Sequence, residues 1–177
     1  MEFGPLKIRL YGDPCLEKKS KAVKEVGPVE RMLIAAMFET MVACRGVGLA
    51  ACQVGINEQI FVVDTGKEAF AAVNPKIIKT AGREVMEEGC LSIPRVLVDI
   101  KRAKTVWVEF TNEENAQVRA RLNGLVARVF LHEFDHLQGK LILDYLAPKD
   151  RTRILSEMKK GSLTGKVLDD DDNKSKI

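Results

Sequence analysis

The chain has only two histidines in 177 residues, and both fall in one stretch from Arg128 to Gly139, as His132-Glu-Phe-Asp-His136. Val129, Phe130, Leu131, Phe134 and Leu137 make the rest of that stretch apolar, so it reads as a helix around which the chain is organised. With a turn every 3.6 residues, His132 and His136 lie on one face about one turn apart, where both imidazoles reach a single metal ion. Glu133 sits beside them, at an offset that does not readily join the same coordination plane but lets a carboxylate take a proton from a water held by the metal. The pattern points to a metal-assisted hydrolase. The competing reading is an amphipathic helix whose histidines fall four apart by chance; the lack of any other histidine and the apolar surroundings weigh against it.

A catalytic site on His-Glu-x-x-His needs a third protein ligand and an open position for water. Gly139 stands where the glycine of HExxHxxGxxH would fall, but the place of the third histidine is taken by Ile142. The remaining candidates are a distant carboxylate or a cysteine. Four cysteines, Cys15, Cys44, Cys52 and Cys90, are scattered without CxxC spacing, which suggests neither a disulfide framework nor a four-cysteine zinc site. Cys90 has the unusual setting, after Gly89 and before the proline-ended turn Leu91 to Pro94; taken alone it reads more readily as a small buried hydrophobe than as a ligand or nucleophile.

The length suits one domain with a sizeable core. A composition of 46% hydrophobic and 30% charged residues is ordinary for a globular protein, and a net charge of +3 is too small to argue nucleic-acid binding. No apolar run approaches the roughly 18 residues of a membrane span, and no charged-then-apolar leader opens the chain, so the expected location is cytoplasmic.

Leu6 to Leu10 reads as a short strand before the turn Gly12-Asp-Pro14. Met32, Leu33, Ala36, Met37 and Met41 recur at helical spacing between Val29 and Cys44, after Pro28 at a first-turn position. Gly46 to Gly55 is nearly bare, with two alanines and one long polar side chain, Gln53; it suits either a close approach of a ligand or a tight packed loop. Ile60 to Val63 and Ala71 to Ile78 read as strands joined around Gly66, the second interrupted at Asn74-Pro75. Val106 to Phe110 and Gln117 to Leu122 resemble a hairpin around Asn112 to Asn115. Strands precede the His132 helix rather than alternating with helices, so the expected fold is α+β, with antiparallel β-sheets packed around the central catalytic helix. Lys140 to Leu146 looks like an apolar return to the core, and Asp150 to Lys160 like a basic helix.

Three stretches together resemble the bacterial-type peptide deformylases, a family marked by GxGLAAxQ, EGCLS and HExDH segments. They stand here as Gly46-Val-Gly-Leu-Ala-Ala-Cys-Gln53, Glu88-Gly-Cys-Leu-Ser92 and His132-Glu-Phe-Asp-His136, in the family's order, and Gly12-Asp-Pro14 is similar to the family's opening. The resemblance covers roughly residues 7 to 160 and implies a catalytic domain over 1–160; residues 161–177 are polar and charged, which reads as a disordered tail. It implies one divalent metal held by Cys90, His132 and His136, natively Fe2+, with Zn2+, Ni2+ or Co2+ also compatible with thiolate and imidazole. It implies removal of the formyl group from the N-terminal formyl-methionine of new polypeptides, releasing formate. Glu133 is then the base, and the Gln53 amide and Leu91 backbone N–H donate to the developing oxyanion. Gly46, Val47, Gly48, Leu49, Val129 and Glu88 are the implied substrate contacts, with the bare glycines letting a peptide pair as an added strand.

Two positions depart from the family: Leu131 where glutamine is common, and Cys52 where proline or threonine is usual. Expected partners are formyl-methionyl nascent peptides, with neither DNA nor membrane. Docking on the ribosome near its exit tunnel is open for the basic helix, although the acidic run Asp169 to Asp172 would repel RNA phosphates.

Overall fold

The computed structural model describes residues 5–160, so the tail expected over 161–177 lies outside the described residues. A 3-10 turn at Pro14–Glu17 precedes helix α1 (Pro28–Ala43). Strands β1 (Gly48–Ala50), β2 (Ile60–Asp64), β3 (Ala69–Ala81), β4 (Glu84–Cys90), β5 (Ile93–Arg102), β6 (Thr105–Thr111) and β7 (Gln117–Asn123) follow, then helices α2 (Gly124–Leu137) and α3 (Pro148–Lys160). β1, β2, β3, β6 and β7 form one sheet in that order, with every pairing antiparallel, and β4 pairs with β5 in a separate antiparallel ribbon. This is the α+β class with antiparallel sheets that the strand pattern implied.

β2 explains how the large sheet is covered. Ile60, Phe61, Val62 and Val63 are all fully buried, yet neighbouring side chains on a strand point to opposite faces. Ile60 and Val62 join Met37, Met41 and Leu49 in a core beneath α1. Phe61 and Val63 join Val126, Val129 and Phe130 in a core beneath α2, where Phe61 meets Phe130 edge to face at 5.0 Å. A strand sandwiched between two helices needs apolar residues on both faces, hence an unbroken run in place of alternation. A third core joins Val96, Val98 and Ile100 of β5 to Leu16, Leu141, Leu143 and Ile154. Lys140 to Leu146 thus does return to the core, with a 3-10 turn over Ile142–Tyr145.

Three local expectations change. Leu6 to Leu10 is not a strand: Leu6 N–H donates to the Thr40 hydroxyl at 2.7 Å and Arg9 N–H to the Gln53 carbonyl at 2.7 Å, so the segment is held by single bonds to different elements and makes no ladder. β3 does not break at Asn74-Pro75. Asn74 takes a φ of 50°, its side chain bonds both backbone groups of Val23, and the register slips between Val73 and Lys76, so the proline is absorbed in a bulge. β4 and β5 run through Glu87 to Pro94 and turn only at Leu91-Ser92; the sequence reading placed no strands there, although buried Val96, Val98, Ile100 and Arg102 do alternate with outward Leu97, Asp99 and Lys101.

Just past the end of α2 comes Gly139, whose φ is +73° and where a Cβ would stand 2.5 Å from the Glu17 carbonyl oxygen; only glycine fits that left-handed position against backbone. Among the described residues no helix is long and apolar enough to cross a membrane.

Candidate active site

α2 turns His132, Glu133 and His136 inward, each buried to 3% exposure or less. Cys90 reaches them from the end of β4, where the ladder slips between Glu88 and Cys90 before the ribbon turns. The ligand atoms of Cys90, His132 and His136 all lie within 4.8 Å of one another. Cys90 Sγ is 3.3 Å from His136 Nε2, and the two imidazoles stand edge to face at 5.0 Å. Helical spacing placed the two histidines together; only the fold brings Cys90 to them. One thiol and two imidazoles at this separation suit a divalent transition metal and leave a position free for water or substrate.

Behind this cluster lies Glu88, which is wholly enclosed. Its Oε1 accepts from Arg102 Nε at 2.6 Å and Arg128 Nη1 at 2.6 Å; its Oε2 accepts from Arg102 Nη2 at 3.0 Å and faces His132 Nδ1 at 3.0 Å. Burial would raise its carboxyl pKa, but the bonds from His132 and Arg102 outweigh that and bring it to about 2. Glu88, expected among the substrate contacts, has both oxygens committed behind the site. With Nδ1 turned to Glu88, His132 presents Nε2 to the cluster, the usual arrangement of a carboxylate orienting a metal-ligating imidazole.

Burial and charged neighbours pull the titratable groups of the site apart. Burial disfavours charge on His132, yet hydrogen bonding to Cys90 and Glu88 pushes its pKa up to about 10. His136, equally buried and next to that charge, is pushed well below 6.5, and its Nδ1 has no hydrogen-bond partner among the described residues. Burial pushes Glu133 up to about 7 against the opposing influence of His132 and Arg102, and its Oε2 likewise has no partner among the described residues. A carboxyl that titrates near neutrality is suited to accept and return a proton.

Gln53 has a fixed orientation. Its Oε1 accepts the Ala50 N–H at 2.8 Å, which turns the amide NH2 toward Cys90 Sγ at 3.6 Å and Ser92 Oγ at 3.2 Å. An N–H cannot accept, so the amide cannot be reversed. A donor therefore stands against the sulfur.

Gly48 is bare for a local reason. A Cβ there would run into the Glu133 carboxylate and come within 2.7 Å of Val129 Cγ1, so the missing side chain makes room for Glu133 and Val129. Leu49, the next residue on β1, points the other way into the core under α1, and only its backbone belongs to the site side. At Gly46 a Cβ would meet Leu91 Cδ1 at 2.9 Å, which sets Leu91 opposite the half-buried Gly46 and Val47. Among the described residues β1 is an edge strand, with β2 as its one neighbour in the sheet.

Of the two departures, Leu131 packs at the margin of the core beneath α2. Cys52 is fully buried, its thiol directed at the His136 carbonyl at 3.5 Å and pushed by burial up to about 12, which makes it an unreactive thiol. Sequence reasoning missed Arg102 and Arg128. Arg128 was detectable, since it precedes His132 by four residues and so shares its helical face; Arg102 arrives from β5 with no spacing signal.

Residues 5–152 match the family described as polypeptide deformylase. A peptide deformylase of Pseudothermotoga lettingae is 46% identical over 153 residues, covering 86% of this chain and 89% of that one. The crystal structure of peptide deformylase from Thermotoga maritima superposes with a TM-score of 0.79 at 45% identity, over 81% of this chain and 99% of that one. A peptide deformylase from Ehrlichia chaffeensis, solved in complex with actinonin, gives 0.86 at 32% identity, over 91% and 99%. On a family match spanning most of the chain, with relatives above two-fifths identity, the chain belongs to the polypeptide deformylase family.

Proposed function

We propose that Cys90, His132 and His136 hold the divalent metal of a deformylase centre, with Glu133, Gln53 and Leu91 as its catalytic groups. Membership of the family gives the overall reaction: the enzyme is a hydrolase that removes the N-formyl group from nascent peptides. The carrying observation for the site is the convergence of three ligand atoms within 4.8 Å beside a fully buried carboxyl. When bound, the ion supplies Lewis acidity that makes hydroxide available near neutral pH. Ferrous iron is the metal proposed, with zinc, nickel and cobalt as substitutes that suit the same donors.

Glu133 holds the proton taken from water and returns it to the amine, which leaves poorly as an anion. Gln53 Nε2, held in place by the Ala50 bond, and the Leu91 N–H donate to the formyl oxygen as it gains charge; losing one such donor typically costs ~10²-fold or more in rate. The methionine side chain occupies a slot formed by Gly46, Val47, Gly48 and Val129, with Leu49 contributing backbone. The peptide pairs along the free edge of β1, which is what an edge strand offers an incoming strand.

We read residues 1–160 as one catalytic unit and the setting as cytoplasmic. For docking on the ribosome through α3, two of its basic residues are already paired, Arg151 with Asp144 and Arg153 with Asp150 and Glu157. The test is formate release from formyl-Met-Ala-Ser by anaerobically purified protein, with and without chelator, for wild type and Glu133→Ala. Turnover lost on chelation and in Glu133→Ala is expected. Chelator-resistant turnover would move the chemistry to Cys90, and cleavage of unformylated peptides would make the enzyme a peptidase.

A further inference from the structure

The hydrogen bonds behind His132 continue past Glu88. Arg102, which grips Glu88 through Nε and Nη2, turns its remaining nitrogen, Nη1, to Asp135 Oδ2 at 2.8 Å and to the Tyr145 hydroxyl at 3.2 Å. Tyr145 closes the triangle by donating to the same Asp135 oxygen at 2.6 Å, and the Arg102 guanidinium lies 5.1 Å from the centre of the Tyr145 ring. Every nitrogen of Arg102 is thus committed, one side to Glu88 and the other to Asp135 and Tyr145. The chain of bonds runs from a groove of about 600 Å³, which Tyr145, Asp135, Leu131 and Phe134 help to line, inward to a buried imidazole.

We infer that Asp135 and Tyr145 are positioning residues for the metal ligand His132, acting through Arg102 and Glu88. The inference rests on the proposed ligand set and adds residues from outside it. The physical argument is a division of charge. Glu88 Oε2 is shared between His132 Nδ1 and Arg102 Nη2, both at 3.0 Å, so the two compete for one oxygen. Asp135 draws part of the guanidinium's charge to the opposite side and, with Tyr145, fixes its plane. Glu88 remains a strong acceptor for His132, which keeps Nε2 electron-rich and aimed. Without Asp135 the whole charge falls on Glu88, and the bond to His132 weakens. Outer-shell partners of this kind typically alter metal affinity by ~10–100-fold.

The experiment uses the full-length protein loaded with cobalt(II), and reads both the dissociation constant, by competition with a chelator, and the visible spectrum of the ion. Tyr145→Phe keeps the ring over Arg102 and removes only the hydroxyl; it is expected to raise the cobalt dissociation constant by ~10-fold. Asp135→Asn keeps the shape and removes the charge, with an expected rise of ~10–100-fold and a shifted spectrum. Dissociation constants within twofold of wild type and unchanged spectra would overturn the inference, even with a lowered thermal midpoint, since a purely structural role moves only the latter. Where Asp135→Asn fails to fold, Tyr145→Phe carries the test alone. Wild type that binds cobalt while both variants match it refutes this inference and leaves the ligand set standing; wild type that binds no cobalt refutes both.

Discussion

Gly48→Ala places one methyl group where it separates two explanations of a bare strand. The added Cβ would lie 2.7 Å from Val129 Cγ1 and 2.9 Å from the Glu133 carboxyl carbon. Carbon atoms pack at about 3.5–4.0 Å, so these neighbours must retreat by roughly 1 Å. Val129 and Glu133 are both fully buried on a packed helix and have little room to give. Overpacking of this size costs about 1–3 kcal/mol of stability. A displacement of roughly 1 Å in a catalytic group costs on the order of 10²-fold in rate, so kcat should fall by about that factor whatever KM does. The assay is steady-state formate release together with chemical denaturation of the same protein. Val129→Ala in the Gly48→Ala background removes the closer carbon and should restore part of the stability. An unchanged kcat, or a loss carried wholly by KM, would refute the reasoning and return Gly48 to a role in admitting the peptide backbone.

Glu88→Ala leaves Arg102 and Arg128 facing each other in a dry interior, and should cost about 3–5 kcal/mol in denaturation; a cost below about 1 kcal/mol would mean the network relaxes or hydrates. The same carboxyl sets an acid limit. Its folded pKa of about 2 lies below the ordinary 4.5, so the stability it contributes is complete above pH 4.5 and is lost as pH falls toward 2. The denaturation midpoint of wild type should therefore drop over that window, and a Glu88→Gln variant should show a shallower fall. Gly139→Ala should lower the thermal midpoint by several degrees, because it puts a Cβ into the Glu17 carbonyl at φ +73°; an unchanged midpoint would show that the helix end can shift.

The elements differ in how far they could be read from the chain alone. The His132 helix and the IFVV strand were legible because apolar periodicity reports directly on burial, on one face or on both. That the two histidines share one face was legible because i and i+4 coincide on a helix whatever the tertiary fold. Leu6 to Leu10 misled, since a short apolar alternation also suits a segment held by scattered single bonds. Leu49 and Glu88 were drawn toward substrate by their neighbours in the motifs, yet each points elsewhere. Strand alternation turns Leu49 into the core under α1, and two arginines claim the oxygens of Glu88.

The sequence by itself therefore determined the antiparallel α+β class, the histidine pair with its adjacent carboxylate, and the family. The tertiary structure decided what crosses from one element to another. It brought Cys90 of β4 to the histidines of α2, closed Glu88 between Arg102 and Arg128, and extended that chain to Asp135 and Tyr145. Local spacing fixes which side chains share a face, because the backbone repeat is known in advance. Which faces meet depends on how sheet, ribbon and helix pack, and charged groups reveal their buried partners only once that packing has excluded water.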